Sequence, residues 1–491
     1  MMQVVYANVT AEVSMPVSPS SRIASAFQQL LPVDLPELEG APGKPPSTAD
    51  CGRRKGSPEF SFGLLTALCP PALVDRVVEE AGRQERRCRL LPARLVVYAL
   101  LVMCMCADLS YTKLMQRLGG LARIGRWAVP HRSAFVRARE RLGWEVMEGL
   151  FRALAGPLGD PTRDQYGIWR GRRVVAIDGT TLELARNHEL EQAFGGQRAN
   201  DRSGRRVGPP LIRIVALMEC GTRALLDVAY GHYETGENSL ARLVRGLVPG
   251  MLVLADRGFP SKPLWQAYVD AGADLLWRAK AGIAQRRICS LADGSYLAKF
   301  GRGEPLTVRV IEYRLGGSRE TYRLLTNLLD PCSADAVELA QLYNERWECE
   351  TLTREIKIGQ CHDGSLRSQT ELGVRQELWA SCVLHTLIRR LIYQAAASVP
   401  ERDPDRISFS LAQDAVRHSV GRVFLIGHHA LHRALQTAAG ELGALRHLVS
   451  RRPRSCPRLE YKSQTRYGNR ANSPLPRSSP RPPREVALLG A

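Results

Sequence analysis

Two aspartates follow short apolar runs. Asp178 comes after Val174–Ile177 in "VVAIDGTT", and Asp256 after Met251–Ala255 in "MLVLADRGF". A carboxylate at the end of an apolar strand lies at the lip of a sheet, where open α/β folds bind ligands. Either one alone is ordinary turn chemistry, because Asp near Gly is a common turn pair. Two on neighbouring strands favour a shared divalent cation, since Mg²⁺ takes carboxylate oxygens and keeps an open face for phosphate. A third group lies in "YNERWECETLTREIKIG", starting at Tyr343. On a helix turning about 100° per residue, Tyr343, Arg346, Glu350 and Lys357 share an arc of about 60°. Leu342, Cys349, Leu352 and Ile356 form a separate apolar face. A narrow rail of one aromatic, two cations and one carboxylate suits a working site, but it also suits a charged helix surface.

The elements that would position these groups change character along the chain. Residues 1–58 and 451–491 are rich in Pro, Ser, Gly and basic residues and read as tails, the second strongly basic. Residues 59–165 read as short helices. "PPALVDRVVEEAG" has Pro at its start and Gly at its end. "SYTKLMQRLGG" opens on Ser110 as an N-cap. "HRSAFVRARERLG" opens on Ser133 and carries Arg137, Arg139 and Arg141. That arrangement suits a helix-turn-helix-like DNA reader, with Arg137 as a phosphate contact, or a plain helical bundle.

From about residue 166 the reading is strand, hairpin, helix, strand, helix, strand, which implies a mixed α/β sheet. Its pieces are "RRVVAI", "LIRIVALM" with "RALLDVAY", the helix "NSLARLVRGL", "MLVLA", the helix "SKPLWQAYVDAG" and "DLLWRAK". A second hairpin around Gly316–Gly317 makes a β insertion over 280–335. Helices follow to about residue 450, divided here into a catalytic region ending at 395 and a C-terminal helical region over 396–450.

The formal charge is +19 in 491 residues. With Arg spread through the interior of the chain, this favours a polyanionic partner such as nucleic acid over an ordinary small-molecule substrate. The longest apolar run, Leu95–Ala107, is shorter than the roughly 18 residues a membrane helix needs. The twelve cysteines contain no Cys-x2-Cys pair. This argues against a zinc site and for free thiols in a reducing cytoplasm.

The spacing Tyr-x2-Arg-x3-Glu-x6-Lys, with "VVAIDGTTLEL" and "VLADRGF" before it, resembles bacterial insertion-sequence transposases of the DDE class, insertion-sequence-four type. The intervals are 78 residues from Asp178 to Asp256 and 94 from Asp256 to Glu350. The N-terminal block "FGLLTALCPPALVDRVVEEAG" is similar to that family's N-terminal helical domain. The resemblance implies an α/β fold, a ribonuclease-H-like catalytic domain with a β-strand insertion, preceded by a helical N-terminal domain. It selects Glu350 over Glu345 and Glu348, which lie about 140° or more from Glu350 around the helix.

Asp178, Asp256 and Glu350 are then the catalytic and metal-binding residues, holding two Mg²⁺ ions about 4 Å apart, with Mn²⁺ as the alternative. Tyr343, Arg346 and Lys357, and more weakly Arg278 and Lys280, would contact DNA. The implied partners are double-stranded DNA, both transposon terminal inverted repeats and target, and a second copy in a homodimer. The implied setting is the nucleoid in the cytoplasm. The implied activity is metal-dependent cleavage at transposon ends and cut-and-paste strand transfer. The alternative is an inactive or domesticated DNA-binding descendant.

One departure stands out. Residues 280–335 contain no Trp to hold a flipped base, leaving Tyr296, Phe300, Tyr313 or Tyr322 as substitutes. "VVAIDGTT" is also similar to the start of haloacid-dehalogenase-type phosphatases, but Ala176 occupies the position of their nucleophilic Asp.

Overall fold

A computed structural model describes residues 62–87, 89–106, 109–121, 129–161, 167–198, 206–280, 286–315, 321–359, 364–399, 402–420, 428–444 and 486–489. The N-terminal tail and Gly316–Gly317 lie outside the described residues.

Among the described residues six helices come first: α1 (Leu64–Leu68), α2 (Pro71–Glu80), α3 (Ala93–Met105), α4 (Tyr111–Leu121), α5 (Arg132–Leu142) and α6 (Glu145–Leu154). Pro71 opens α2, where its missing N–H costs nothing. The apolar run is α3, buried from Leu95 to Met105. Among the described residues no helix is long and apolar enough to cross a membrane. The cap of α5 differs from the expectation: His131 caps it, with its ring nitrogen accepting from the Ser133 backbone N–H.

The sheet region follows with β1 (Ile168–Trp169), β2 (Arg172–Glu183), α7 (His188–Phe194), β3 (Gly196–Arg198), β4 (Arg206–Glu219), β5 (Leu225–His232), α8 (Glu237–Ala241), β6 (Met251–Ala255), α9 (Lys262–Asp270) and β7 (Asp274–Arg278). Strands β8 (Arg286–Ser290), β9 (Tyr296–Phe300), β10 (Leu306–Leu315) and β11 (Thr321–Thr326) come next. The strand order is β3-β4-β2-β6-β7-β11-β10-β9-β8, with β5 added on β4. β2 is antiparallel to β4 and parallel to β6, and β6 is parallel to β7. The segment read as an insertion therefore continues the same sheet, because β11 pairs with β7.

Helix α8 stops at Ala241, well short of the helix expected through Leu247. The Arg245 backbone N–H donates instead to the buried Asp227 carboxylate at 2.5 Å. That bond ties the chain to β5 and competes with continued helix.

The remaining helices are α10 (Ala336–Leu342), a 3₁₀ turn over Tyr343–Arg346, α11 (Trp347–Gly359), α12 (Glu371–Ala397), a 3₁₀ turn over Pro404–Arg406, α13 (Phe409–Ser419) and α14 (His428–Gly443). Within the segment expected to be a basic tail, β12 (Val486–Leu488) pairs with β10.

Both faces of the central sheet are covered. Val174 and Ala176 of β2, with Leu252 and Leu254 of β6, pack into a core shared with α11, α12 and the N-terminal helices. Val175, Ile177, Val253 and Ala255 pack on the opposite side with α8 and α9. This two-sided burial is why both strands read as unbroken apolar runs.

Candidate active site

The alternation along β2 and β6 places the two aspartates. Side chains two residues apart share a face. Asp178 follows Val174 and Ala176, and Asp256 follows Leu252 and Leu254, so both belong to the face on which α11 packs. The parallel register ends with Ile177 beside Ala255, and Ala255 beside Trp277. Asp178, Asp256 and Arg278 are the next residues on three adjacent strands. One detail differs from the expectation: β2 does not end at Asp178 but runs on to Glu183, paired with β4. Only the parallel side of the ladder stops there, and that side forms the lip.

Backbone N–H groups hold both carboxylates. Gly179 donates to Asp178 Oδ1 at 2.9 Å and Arg257 to Asp256 Oδ1 at 2.6 Å. Burial pushes the Asp178 carboxyl up to about 6; Arg346 and the Gly179 bond oppose this, while Asp256 and Glu237 add to it.

The helix carrying the third carboxylate is not a single α-helix. Tyr343–Arg346 form a 3₁₀ turn, in which residues three apart eclipse. Tyr343 and Arg346 therefore stay in line, and Glu350 follows one α-turn later. Arg346, whose side chain is 8% exposed, reaches Asp178 Oδ2 at 3.8 Å and Glu350 Oε1 at 3.3 Å. It thus links the acid on β2 to the acid on α11. Burial works against the Arg346 charge, but Tyr343, Asp256 and Asp178 outweigh it and raise its pKa.

Tyr343 is buried, and its hydroxyl donates to the Ala255 carbonyl at 3.1 Å. The expected phosphate contact is therefore replaced by a bond to the residue just before Asp256. Lys357 lines a cleft together with Asp178, Thr180, Leu352 and Ile356. Arg278 stacks on the Tyr322 ring at 4.4 Å, and Lys280 is exposed beyond it.

Glu345 and Glu348, in the segment that starts at Tyr343, separate clearly from each other. Glu345 is half-buried. Glu348 is buried against Arg223 on the far side of α11. Of the four arginines on α5, Arg132 and Arg137 are exposed, Arg141 is half-buried and Arg139 is buried. Arg139 bonds Gln376 at 3.0 Å, Ser368 at 3.1 Å and the Gly373 carbonyl at 3.1 Å. It ties helices together and is not available to DNA. Among the aromatic substitutes for the absent Trp, Phe300 and Tyr313 are buried, Tyr322 stacks on Tyr313, and Tyr296 is bonded to Glu312.

The sequence reading missed one acid. Glu237, at the start of α8, bonds Arg213 at 3.0 Å and lies against Gly179. No strand-end pattern marks it.

The donor set fits a hard divalent cation in its chemistry: carboxylate oxygens on adjacent strand ends, with Asp178 carrying charge that burial disfavours. Among the described residues no three His, Cys, Asp or Glu side chains are gathered tightly enough to hold an ion. Arg346 is the cation in contact with both Asp178 and Glu350 in this arrangement.

Comparison with known proteins names the class. Residues 169–387 match the family model described as transposase DDE domain, and this is an enzyme of that class, a DNA transposase. Residues 59–152 match the model described as insertion element 4 transposase N-terminal. The chain belongs to the insertion-element-4 family of DDE transposases. It is 27% identical over 412 residues to the transposase InsG for insertion sequence element IS4 of Escherichia coli strain K12, covering 81% of this chain and 91% of that one. It is also 32% identical over 147 residues to InsZ of the same strain, a protein provisionally described as a transposase. That match covers 30% of this chain and 48% of InsZ.

Proposed function

We propose that this transposase cuts DNA at the terminal inverted repeats of its element and joins the freed ends to target DNA, with Asp178, Asp256 and Glu350 as the acids of the reaction. The observation that carries this is the placement of Asp178 and Asp256 side by side at the end of the β2–β6 ladder, with Arg346 linking Asp178 to Glu350. The strand order β5-β4-β2-β6-β7, antiparallel on one side of β2 and parallel on the other, supports a ribonuclease-H-like catalytic domain. The helices over 64–154 support a helical N-terminal domain.

DDE transposase domains use divalent ions, and here Asp178, Asp256 and Glu350 would hold two Mg²⁺. When bound, such ions lower the pKa of an attacking hydroxyl and stabilise the leaving oxygen of an in-line displacement. The chain's own residues do the positioning. Gly179 and Arg257 N–H groups aim the two aspartates. Tyr343 fixes the end of β6. Arg346 holds Glu350 toward Asp178. Lys357, Arg278 at the lip, and the exposed Lys280 and Arg137 supply cations for phosphate, which set the position of the strand without reading its sequence. The active complex is proposed to contain two copies, and the reaction to occur at the bacterial nucleoid.

Asp178→Asn, Asp256→Asn and Glu350→Gln test the assignment. Each is expected to abolish Mg²⁺-dependent nicking of an end-containing duplex while leaving gel-shift affinity for that duplex within about threefold. A variant that nicks at the wild-type rate removes its residue from the site.

A further inference from the structure

Glu237 stands between Gly179 of β2, beside Asp178, and the turn that follows Asp256, and nothing in the strand pattern accounts for it. A Cβ built on Gly179 would lie 2.6 Å from Glu237 Cδ and 2.8 Å from its Oε1. A Cβ on Gly258 would lie 3.7 Å from Glu237 Oε2. The side chain therefore occupies space that residue 179 leaves open only because it is glycine. It also reaches the turn after Asp256, where Asn238 Nδ2 donates to the Gly258 carbonyl at 3.5 Å.

The carboxylate does not float there. Arg213 Nη1 donates to Glu237 Oε1 at 3.0 Å. Arg213 is itself fixed: its Nε donates to the Tyr233 carbonyl at 2.9 Å, and its guanidinium lies 4.9 Å from the Tyr233 ring centre. Charge-assisted bonds of this kind hold geometry more firmly than neutral ones. Leu240 and Ala241 bury the other end of the short helix. Residues 236–241 thus have one end in the core and the other against Gly179 of β2 and the Gly258 turn.

We infer that Glu237, braced by Arg213, is a positioning residue that fixes the Asp178–Gly179 stretch of β2 and the Asp256–Gly258 turn relative to each other during DNA cleavage. It acts through its shape and its bond to Arg213, so a neutral isostere retains the role. Gly179 is glycine to admit it. The inference rests on the assignment of Asp178 and Asp256 proposed above.

The test uses the full chain, an end-containing DNA duplex and Mg²⁺. Glu237→Ala is expected to lower kcat for nicking about tenfold, with KM for the duplex within twofold. Glu237→Gln, which keeps an oxygen for Arg213, is expected to recover to within about threefold of wild type. Gly179→Ala is expected to fall at least tenfold. The double variant Gly179→Ala/Glu237→Ala is expected to exceed Gly179→Ala severalfold, because the clash is gone. Thermal unfolding of each variant is followed in parallel, so that loss of fold is not read as loss of positioning. Three results overturn the inference: Glu237→Ala with wild-type kcat, Glu237→Gln as inactive as Asp178→Asn, or a double variant no better than Gly179→Ala. Asp178→Asn is run beside them. If it stays active the site assignment fails; if it is inactive while Glu237→Ala is wild-type, only the positioning role fails.

Discussion

Tyr343 shows how a residue can match a pattern and do something other than its type suggests. A tyrosine beside acids and arginines reads as a phosphate contact, yet its hydroxyl is committed to the Ala255 carbonyl and the ring is buried. Burial pushes its pKa up, with Arg346 opposing and Asp256 adding, so it remains a neutral donor across the working pH range. Tyr343→Phe removes the bond to this carbonyl, which costs about 0.5–1.5 kcal/mol. The expected outcome is a lower unfolding temperature and a severalfold loss of nicking rate, with unchanged affinity for end DNA in a salt titration. Lys357→Ala should behave oppositely. The lysine lines the cleft with Asp178, and its loss should weaken end binding and flatten the plot of log affinity against log salt by about one unit. Asp178 and Asp256, two of the proposed acids, were legible because apolar runs are local signals; Glu350, the proposed third, was picked out from Glu345 and Glu348 by the family resemblance. Glu237 was not legible, because its significance lies in a contact with Gly179, 58 residues away.

At the scale of elements, α11 is held from behind as firmly as it faces the site. Arg223, a non-glycine residue at φ 55 in the β4–β5 turn, pairs with Glu348, with Glu355 at 3.5 Å and with Asp405 at 3.0 Å. Arg389 and His385 of α12 also bond Glu355, His385 at 3.2 Å. Glu348 and Glu355 are two helical turns apart on one face, and Glu350 lies on the other. Helical spacing had already set Glu348 apart from Glu350, but not what holds Glu348 and Glu355, because the partners come from a turn 125 residues earlier and a helix about 30 residues later.

The α-to-3₁₀ change at Tyr343 was equally hidden, since helical periodicity does not separate the two over four residues. Burial acts against the Glu355 charge, but Arg389, the His385 bond and Arg223 outweigh it and bring its pKa down to about 2. A depressed carboxyl stabilises the fold above its unfolded pKa, near 4.5, and that stabilisation is lost as pH falls toward 2. The contribution is on the order of 3 kcal/mol. Glu355→Gln should therefore unfold more easily than wild type at pH 7 in a urea titration, and the gap should close between about pH 4.5 and 2. Asp405, whose carboxyl burial raises, shifts stability in the opposite sense at higher pH, so the comparison is made between variants and not on the wild-type curve alone.

At the scale of the whole molecule, α12 joins parts that the sequence divides. The chain reads as helices to about residue 165 and a sheet region after it, and the strand and helix types in each part were visible from their periodicities. What was not visible is that α12 is buried along most of its length between the two. Its Trp379 ring packs against Phe151 of α6 at 5.2 Å and edge-on against Tyr230 of β5 at 5.7 Å. One side chain therefore touches the N-terminal helices and the central sheet, and Cys104 of α3 meets the same helix at the Glu377 carbonyl. Long-range packing of this kind leaves no local trace, because an all-apolar helix face does not name its partner.

The consequence is energetic. Truncating a buried Trp costs about 3–5 kcal/mol, a large share of the 5–15 kcal/mol that typically separates a folded domain from its unfolded state. Because Trp379 serves both parts, Trp379→Ala should speed hydrogen exchange in residues 62–154 and 167–280 by similar factors. Its urea transition should remain single by tryptophan fluorescence and by circular dichroism. Exchange that quickens only in 62–154 would show the N-terminal helices opening as an independent unit, with the sheet and its lip holding without them.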